Sequence, residues 1–328
     1  MLNIGYYPSW NQNKYNQQTI EILKSIEPGS TVDFVHPKKP PYFLRSAPNN
    51  KKYDFIVINW LENSLLNDRG QITIYGVLVY FFYLFYFKLS AKKTFYVRHN
   101  SYPHGCIESS QNLVEHITNF GEKLCTKRLT LSPHMESRGY AYIPHPLYDK
   151  GSLEPDESLN NYGEFYLMFG RILPYKNFEE VIEKWDNSVK LVIAGNPVSK
   201  DYLQSLEKLA SDKNIVFIGE YITEARAAAL ASASQGLIVT HSDSSNVVVS
   251  ASFFFATTFG APVYTLKSDF FNYLVKEENY PGLFVFNNIA ELVKNIKAHP
   301  YTDKTNIYQS ADANFGKQHC IDSWRRLL

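Results

Sequence analysis

Arg171 and Lys176 stand five residues apart in Gly170-Arg171-Ile172-Leu173-Pro174-Tyr175-Lys176-Asn177. The apolar run Phe165–Phe169 before them reads as a buried strand, and Phe178–Trp185 after them reads as an amphipathic helix. Two cations in a strand-to-helix turn, beside the N–H groups of a helix start, suit a diphosphate. An ordinary turn with two solvated cations would carry the same letters. A second turn opens on the same edge, where the strand Lys190–Ala194 ends in Gly195-Asn196-Pro197. A third group, Ser245, Asn246, Ser250 and Ala251, precedes a helix that stops at Gly260. Small hydroxyl residues there cap a helix or leave its N–H groups to phosphate.

His99 and His104 lie in Arg98-His99-Asn100-Ser101-Tyr102-Pro103-His104, just past a strand at Thr94–Val97. A histidine at the carboxyl end of a strand can take a proton or hydrogen-bond a ligand hydroxyl. A structural histidine satisfied by backbone groups fits the same position. The sequence holds no Gly-x4-Gly-Lys-Ser/Thr loop and no Gly-x-Gly-x-x-Gly after the first strand. P-loop phosphoryl transfer and dinucleotide binding are disfavoured accordingly.

The elements that must position these residues alternate, short apolar runs with longer helical patterns, as in a parallel α/β sheet. Strands are expected at Leu2–Tyr7, Thr31–Val35, Phe55–Asn59, Thr94–Arg98, Arg128–Leu131 and Tyr142–Ile143. A polar stretch, Asp149–Tyr162, reads as a linker. A second series follows at Phe165–Phe169, Lys190–Ala194, Ile215–Ile218, Gly236–Val239, Pro262–Thr265 and Leu283–Phe286. Helices are expected near Gln17–Ile26, Gln111–Cys125, Phe178–Lys184, Tyr202–Ala210, Thr223–Ala233, Ser250–Phe259 and Ile289–Ala298. Ala311–Leu328 reads as one terminal helix packing back on the first domain. The organisation is thus 1–150, 151–310 and a closing helix at 311–328, with a ligand cleft between two domains of 328 residues in all.

A net charge of +1 provides no field for nucleic acid. Cys106, Cys125 and Cys320 are too scattered for a disulfide framework or a metal site, which points to a reducing cytoplasm. Ile72–Phe87 carries no charge. It is short for a bilayer span, which needs about 20 residues. A buried crossover helix accounts for it; so does a surface that meets a membrane. Its tyrosines suit an interface, and Lys88, Lys92, Lys93 and Arg98 follow to meet anionic headgroups.

Taken together, these motifs resemble the GT-B glycosyltransferases, in particular the family 4-like enzymes of bacterial surface polysaccharide synthesis. Asn13-Lys14-Tyr15 is similar to the loop after the first strand, and Asn59-Trp60-Leu61-Glu62 to a Trp-centred motif. Arg98–His104 is similar to a His-Asn-x-x-Pro-His stretch, and Tyr142-Ile143-Pro144-His145-Pro146 to the segment before the linker. Gly170-Arg171 with Lys176, and Ser250-Ala251 through Gly260-Ala261-Pro262-Val263, are similar to donor-binding motifs. The resemblance implies two Rossmann-like domains facing each other across a cleft. The second domain would hold a nucleotide-sugar donor, UDP or GDP, through Gly170, Arg171, Lys176, Gly195, Asn196, Ser245, Asn246, Ser250 and Ala251. No metal and no further cofactor are implied. The first domain would hold a saccharide or lipid-linked oligosaccharide at the inner leaflet, near Asn13, Tyr15, Trp60, Glu62 and His104. His99 would be the catalytic group, with Glu62 second. One departure stands out: a Glu-x7-Glu pair of many relatives falls on Val247 and Phe255 here. A soluble sugar-nucleotide epimerase and a non-catalytic subunit that activates a partner transferase are the alternatives on the same fold.

Overall fold

The computed structural model describes residues 1–9, 13–37, 52–103, 105–150, 159, 162–240, 249–298 and 303–328. The chain forms two compact units. Unit 1 comprises Met1–Pro146, Asn246–Val249 and Lys317–Leu328; unit 2 comprises Leu147–Ser245 and Ser250–Gly316.

In unit 1 the strands are Asn3–Tyr7 (β1), Thr31–Phe34 (β2), Tyr53–Asn59 (β3), Ala91–Arg98 (β4), Lys127–Thr130 (β5) and Ala141–Tyr142 (β6). They form one parallel sheet in the order β2-β1-β3-β4-β5-β6. Its helices are Lys14–Lys24 (α1), Ile74–Ser90 (α2), Glu108–Lys123 (α3) and, from the chain end, Lys317–Arg325, which is α11 in chain order. Alternation along the strands divides the core. Ile4, Tyr6, Phe55, Val57, Phe95 and Val97 pack against Tyr15, Ile22 and Leu23 of α1 and Trp324 of α11. Ile56, Ile58 and Tyr96 face the other way, onto Val79, Tyr80, Leu84 and Phe87 of α2 and Val114 of α3. Central strands of a parallel sheet are covered on both faces, which is why these runs are continuously apolar. Helix α1 begins at Lys14, earlier than its apolar spacing announces, because the Asn13 side chain accepts from Tyr15 N at 2.9 Å and caps it.

Unit 2 repeats the plan with Phe165–Phe169 (β7), Lys190–Ala194 (β8), Ile215–Ile218 (β9), Leu237–Val239 (β10), Val263–Leu266 (β11) and Leu283–Phe286 (β12). The order is β12-β11-β10-β7-β8-β9, again parallel. Helices are Phe178–Lys184 (α4), Lys200–Leu209 (α5), Glu224–Ala233 (α6), Ala251–Thr258 (α7), Asp269–Lys276 (α8), Ile289–Asn295 (α9) and Lys304–Phe315 (α10). Tyr166, Met168, Leu191 and Ile193 pack with α4, Leu206 of α5 and α9. Elsewhere in unit 2, Phe253, Phe254, Phe270, Phe271, Tyr280 and Phe315 join in edge-to-face and tilted ring contacts.

Two expectations need correction. The terminal helix is not continuous: α10 ends at Phe315 and α11 starts at Lys317, with extended backbone at Gly316. Only α11 belongs to unit 1. Helix α8 was not foreseen; its eight residues follow a strand, and the Ser268 cap, which accepts from Phe271 N, starts it.

Candidate functional site

In unit 2 the chain runs from β7 to β8 on one side and reaches β10 on the other, so β7 and β10 flank a topological switch point. Ligands of open α/β sheets gather outside the carboxyl ends of strands at such a point. Gly170–Asn177 leaves β7 there. Its course is pinned at both ends. Ile172 N donates to Asn196 O at 3.0 Å and Val198 N to Ile172 O at 3.0 Å, so the loop lies along the Gly195 turn. Gly195 must be glycine: φ is 150° and an added Cβ would sit 2.0 Å from Gly170 O. At the far end Asn177, left-handed at φ 57°, donates through Nδ2 to Thr240 O at 3.0 Å. Thr240 Oγ1 returns a bond to Lys176 O at 2.6 Å, which ties the ends of β7 and β10 together.

Within this frame Lys176 is 9% exposed and its Nζ donates to Phe169 O at 3.2 Å. Burial, and then the charge of Arg171, push its ammonium down to about 8. A lysine so placed is charged at neutral pH, and among the described residues no carboxylate is paired with it. Arg171 and Asn196 are exposed, and Gly195 is buried. Ser250 is 3% exposed and precedes α7, with Ala251 exposed at its first position. Ser245 and Asn246 lie outside the described residues. Phe255, where the second carboxylate of the resembled pair would stand, stacks on Phe169 at 4.9 Å and 23°.

Unit 1 has its own switch point between β1 and β3. Asn59, at the end of β3, donates through Nδ2 to Tyr7 O at 3.1 Å and joins the two strand ends. Its Oδ1 therefore faces His99 Nε2, at 2.9 Å. A carboxamide oxygen only accepts, so Nε2 must carry the proton and Nδ1 the lone pair. Trp60 stacks on the His99 ring at 4.1 Å and 22°, and Tyr15 meets it edge-on at 4.9 Å. Tyr15 also lies 5.0 Å from His145. Burial, with His145 adding, holds the His99 imidazolium well below 6.5, and burial holds His145 down at about 4. Both rings are neutral at physiological pH.

Behind His99 lies a buried ionic cluster. Arg98 is 2% exposed; its Nη1 lies 3.4 Å from Glu122 Oε2 and its Nη2 donates to Ser101 O at 2.5 Å. Tyr140 donates to the other Glu122 oxygen. Glu62 is also buried and accepts from Tyr96 OH at 2.7 Å. Arg98 is thus occupied inside the protein, which corrects the expectation that it meets headgroups. Lys92 pairs with Asp54 and Lys93 bonds Leu328 O, so only Lys88 of that group keeps an unengaged exposed ammonium among the described residues. Glu122→Ala is expected to cost about 3–5 kcal/mol, because it strands a buried guanidinium. Denaturant titration showing a loss under about 1 kcal/mol would remove that role.

The structure therefore brings Tyr15, Trp60 and His99 into one cluster and places Asn13 at the cap of α1. Glu62 belongs to the ionic cluster, and His104 lies outside the described residues. Asn59, His145 and Asn177 stand within the motifs quoted from the sequence but carry no role there, and Thr240 is marked only by its position after a strand.

No family model matches the sequence, and no curated protein matches it. Solved structures do match. Sucrose-phosphate synthase of Thermosynechococcus elongatus aligns at a TM-score of 0.72 and 14% identity, over 100% of this chain and 98% of that one. HepE of Anabaena, in complex with UDP and glucose, aligns at 0.68 and 12% identity, over 100% and 99%. A glycosyltransferase of Rickettsia africae aligns at 0.64 and 12%, over 99% and 97%. These likenesses establish the architecture: an α/β chain with two parallel six-stranded sheets, the fold of the GT-B glycosyltransferases.

Proposed function

We propose that this chain is a glycosyltransferase that moves a sugar from a nucleotide-sugar donor to a saccharide acceptor. The observation that carries the reading is Lys176, a buried ammonium held at the switch point of unit 2 beside a second cation, Arg171. Transfer breaks the bond between the anomeric carbon and the diphosphate oxygen and forms one to the acceptor hydroxyl. Negative charge grows on the diphosphate as it leaves. Fixed cations that meet it there lower the barrier and need no reorganisation. With two side-chain cations for this task, the reaction is proposed to run without a metal. Gly170, Gly195, Asn196, Ser250 and Ala251 complete the donor site. Unit 1 takes the acceptor, with His99 as the group that receives or orients its hydroxyl. That HepE is in complex with UDP, and that the Rickettsia africae protein of the same fold is itself a glycosyltransferase, support this reading.

The donor is tested by thermal shift against UDP-, GDP- and dTDP-sugars. A ligand that binds only the folded state raises the midpoint by mass action. One nucleotide series is expected to raise it well above the others; no shift with any of them would overturn the reading.

We further propose a lipid-linked acceptor of bacterial surface polysaccharide assembly, met at the inner face of the membrane. Among the described residues no helix is long and apolar enough to cross a membrane. Helix α2 instead leaves Ile74, Tyr75, Leu78, Phe85 and Leu89 exposed, Leu78 by 65%. Leu113 and Phe120 of α3 are exposed as well, and Phe120 sits 5.9 Å from Phe81 of α2. Apolar surface of this extent marks an interaction site. Cell fractionation without detergent is expected to leave much of the protein on membranes, and Leu78→Glu with Phe85→Glu to release it. A wholly soluble wild type would sink the membrane proposal.

A further inference from the structure

Unit 1 has an open cavity of about 630 Å³ beside the His99 cluster. That volume is within the ~300–1,000 Å³ of small-molecule sites. Trp60 forms one wall. Its backbone is left-handed, at φ 50° and ψ 29°, which a bulky residue adopts only where its surroundings hold it. The opposite wall is backbone against backbone. Gly70, at φ 72°, would put a Cβ 1.9 Å from Gly105 O, and Ile107 N donates to Gly70 O at 3.0 Å. Four carboxamides, Asn13, Asn63, Asn67 and Asn100, and one carboxylate, Asp68, supply the polar lining. Asn13 Oδ1 accepts from Tyr15 N, and Asn67 is engaged with Arg69 N and Gln71, so Asn63 and the Asn13 Nδ2 are carboxamide groups the cavity offers a ligand. Among the described lining residues none is lysine or arginine.

This chemistry selects a class of ligand. A carboxamide offers donors and an acceptor in one plane, and a sugar hydroxyl is likewise donor and acceptor. An indole face covers the apolar C–H face of a pyranose ring. Among the described lining residues a phosphate or carboxylate would find no lysine or arginine to pair with and would meet Asp68 instead. We propose that the cavity binds an uncharged saccharide and discriminates against anionic ones. Where that saccharide is the acceptor the proposal rests on the transferase reading, and it places any phosphate of a lipid-linked acceptor outside this cavity.

Saturation-transfer NMR on the full chain tests it. The probes are methyl glycosides of glucose, galactose, mannose and N-acetylglucosamine, and the 6-phosphates of the same sugars. At least one neutral glycoside is expected to bind, its phosphate at least tenfold more weakly. Trp60→Ala should abolish the signal. Because that variant can fail to fold, Asp68→Lys is the second arm: Asp68 is exposed, so its melting midpoint should hold while phosphate binding rises several-fold. Silence from every neutral glycoside, equal or tighter binding of the phosphates, or indifference to both variants would overturn the proposal. UDP-sugar binding is measured on the same samples. Lost glycoside binding with intact donor binding rejects the cavity assignment alone; glycoside binding without donor binding or transfer rejects the transferase reading alone.

Discussion

Lys176→Met should lower kcat/KM about 100- to 1,000-fold, the usual cost of removing one preorganised group from a developing oxyanion. Methionine keeps the apolar stem and drops the charge, along with the Nζ bond to Phe169 O. Lys176→Arg should recover part of the loss. The pH profile provides a sharper signature. Lys176 in the free protein titrates at about 8. The bound diphosphate raises that value, so binding above pH 8 must take up a proton. Donor affinity is therefore full below about 8 and falls as pH rises through it. Lys176→Met should show no such limb, since a sugar diphosphate does not itself titrate there. Calorimetry that finds unchanged donor affinity in Lys176→Met, with the alkaline limb intact, removes Lys176 from the donor site.

His99→Ala should reduce transfer by about 100- to 10,000-fold, the range of a lost acid–base group, with donor affinity largely kept. The buried ring stays neutral well below pH 6.5, so activity should lack an acidic limb near 6.5 of the kind an exposed histidine produces. Asn59→Leu separates tautomer from presence. It removes the acceptor that holds the proton on Nε2 and leaves the imidazole stacked on Trp60. If Nδ1 is the working atom, Asn59→Leu should lower kcat more than it raises KM, and Asn59→Gln should restore little because its longer arm misplaces the oxygen. Full transfer in His99→Ala would reject any catalytic part for this ring.

Both predictions turn on partners that the sequence shows poorly. Among the described residues every strand core was legible, since runs such as Phe165–Phe169 and Lys190–Ala194 are apolar and bounded by turn residues. The turn at Gly170–Asn177 was legible for the same reason: it follows a strand and opens a helix. Helix α8 was not, because Asp269–Lys276 is short and its apolar residues resemble a strand's as readily. Nor was the break at Gly316, since one glycine within a helical pattern is tolerated more often than not. Least legible were the carboxamide contacts. Asn59 meets a histidine 40 residues away and Asn177 a carbonyl 63 residues away. A carboxamide's letter says that it can bridge; only the sheet order says what it bridges.

The place of α11 in the chain has a consequence for synthesis. Trp324 is 2% exposed and fills unit 1 beside Phe55 and Phe95, with Cys320, Ile321 and Leu327 around it. Those residues follow all of unit 2 in the chain, so they are synthesised after it. The core of unit 1 therefore stays open while unit 2 is made, and unit 2 can close before it. A fragment cut at Pro146 would expose the bed of α11, so an isolated unit 1 calls for Lys317–Leu328 to be grafted back.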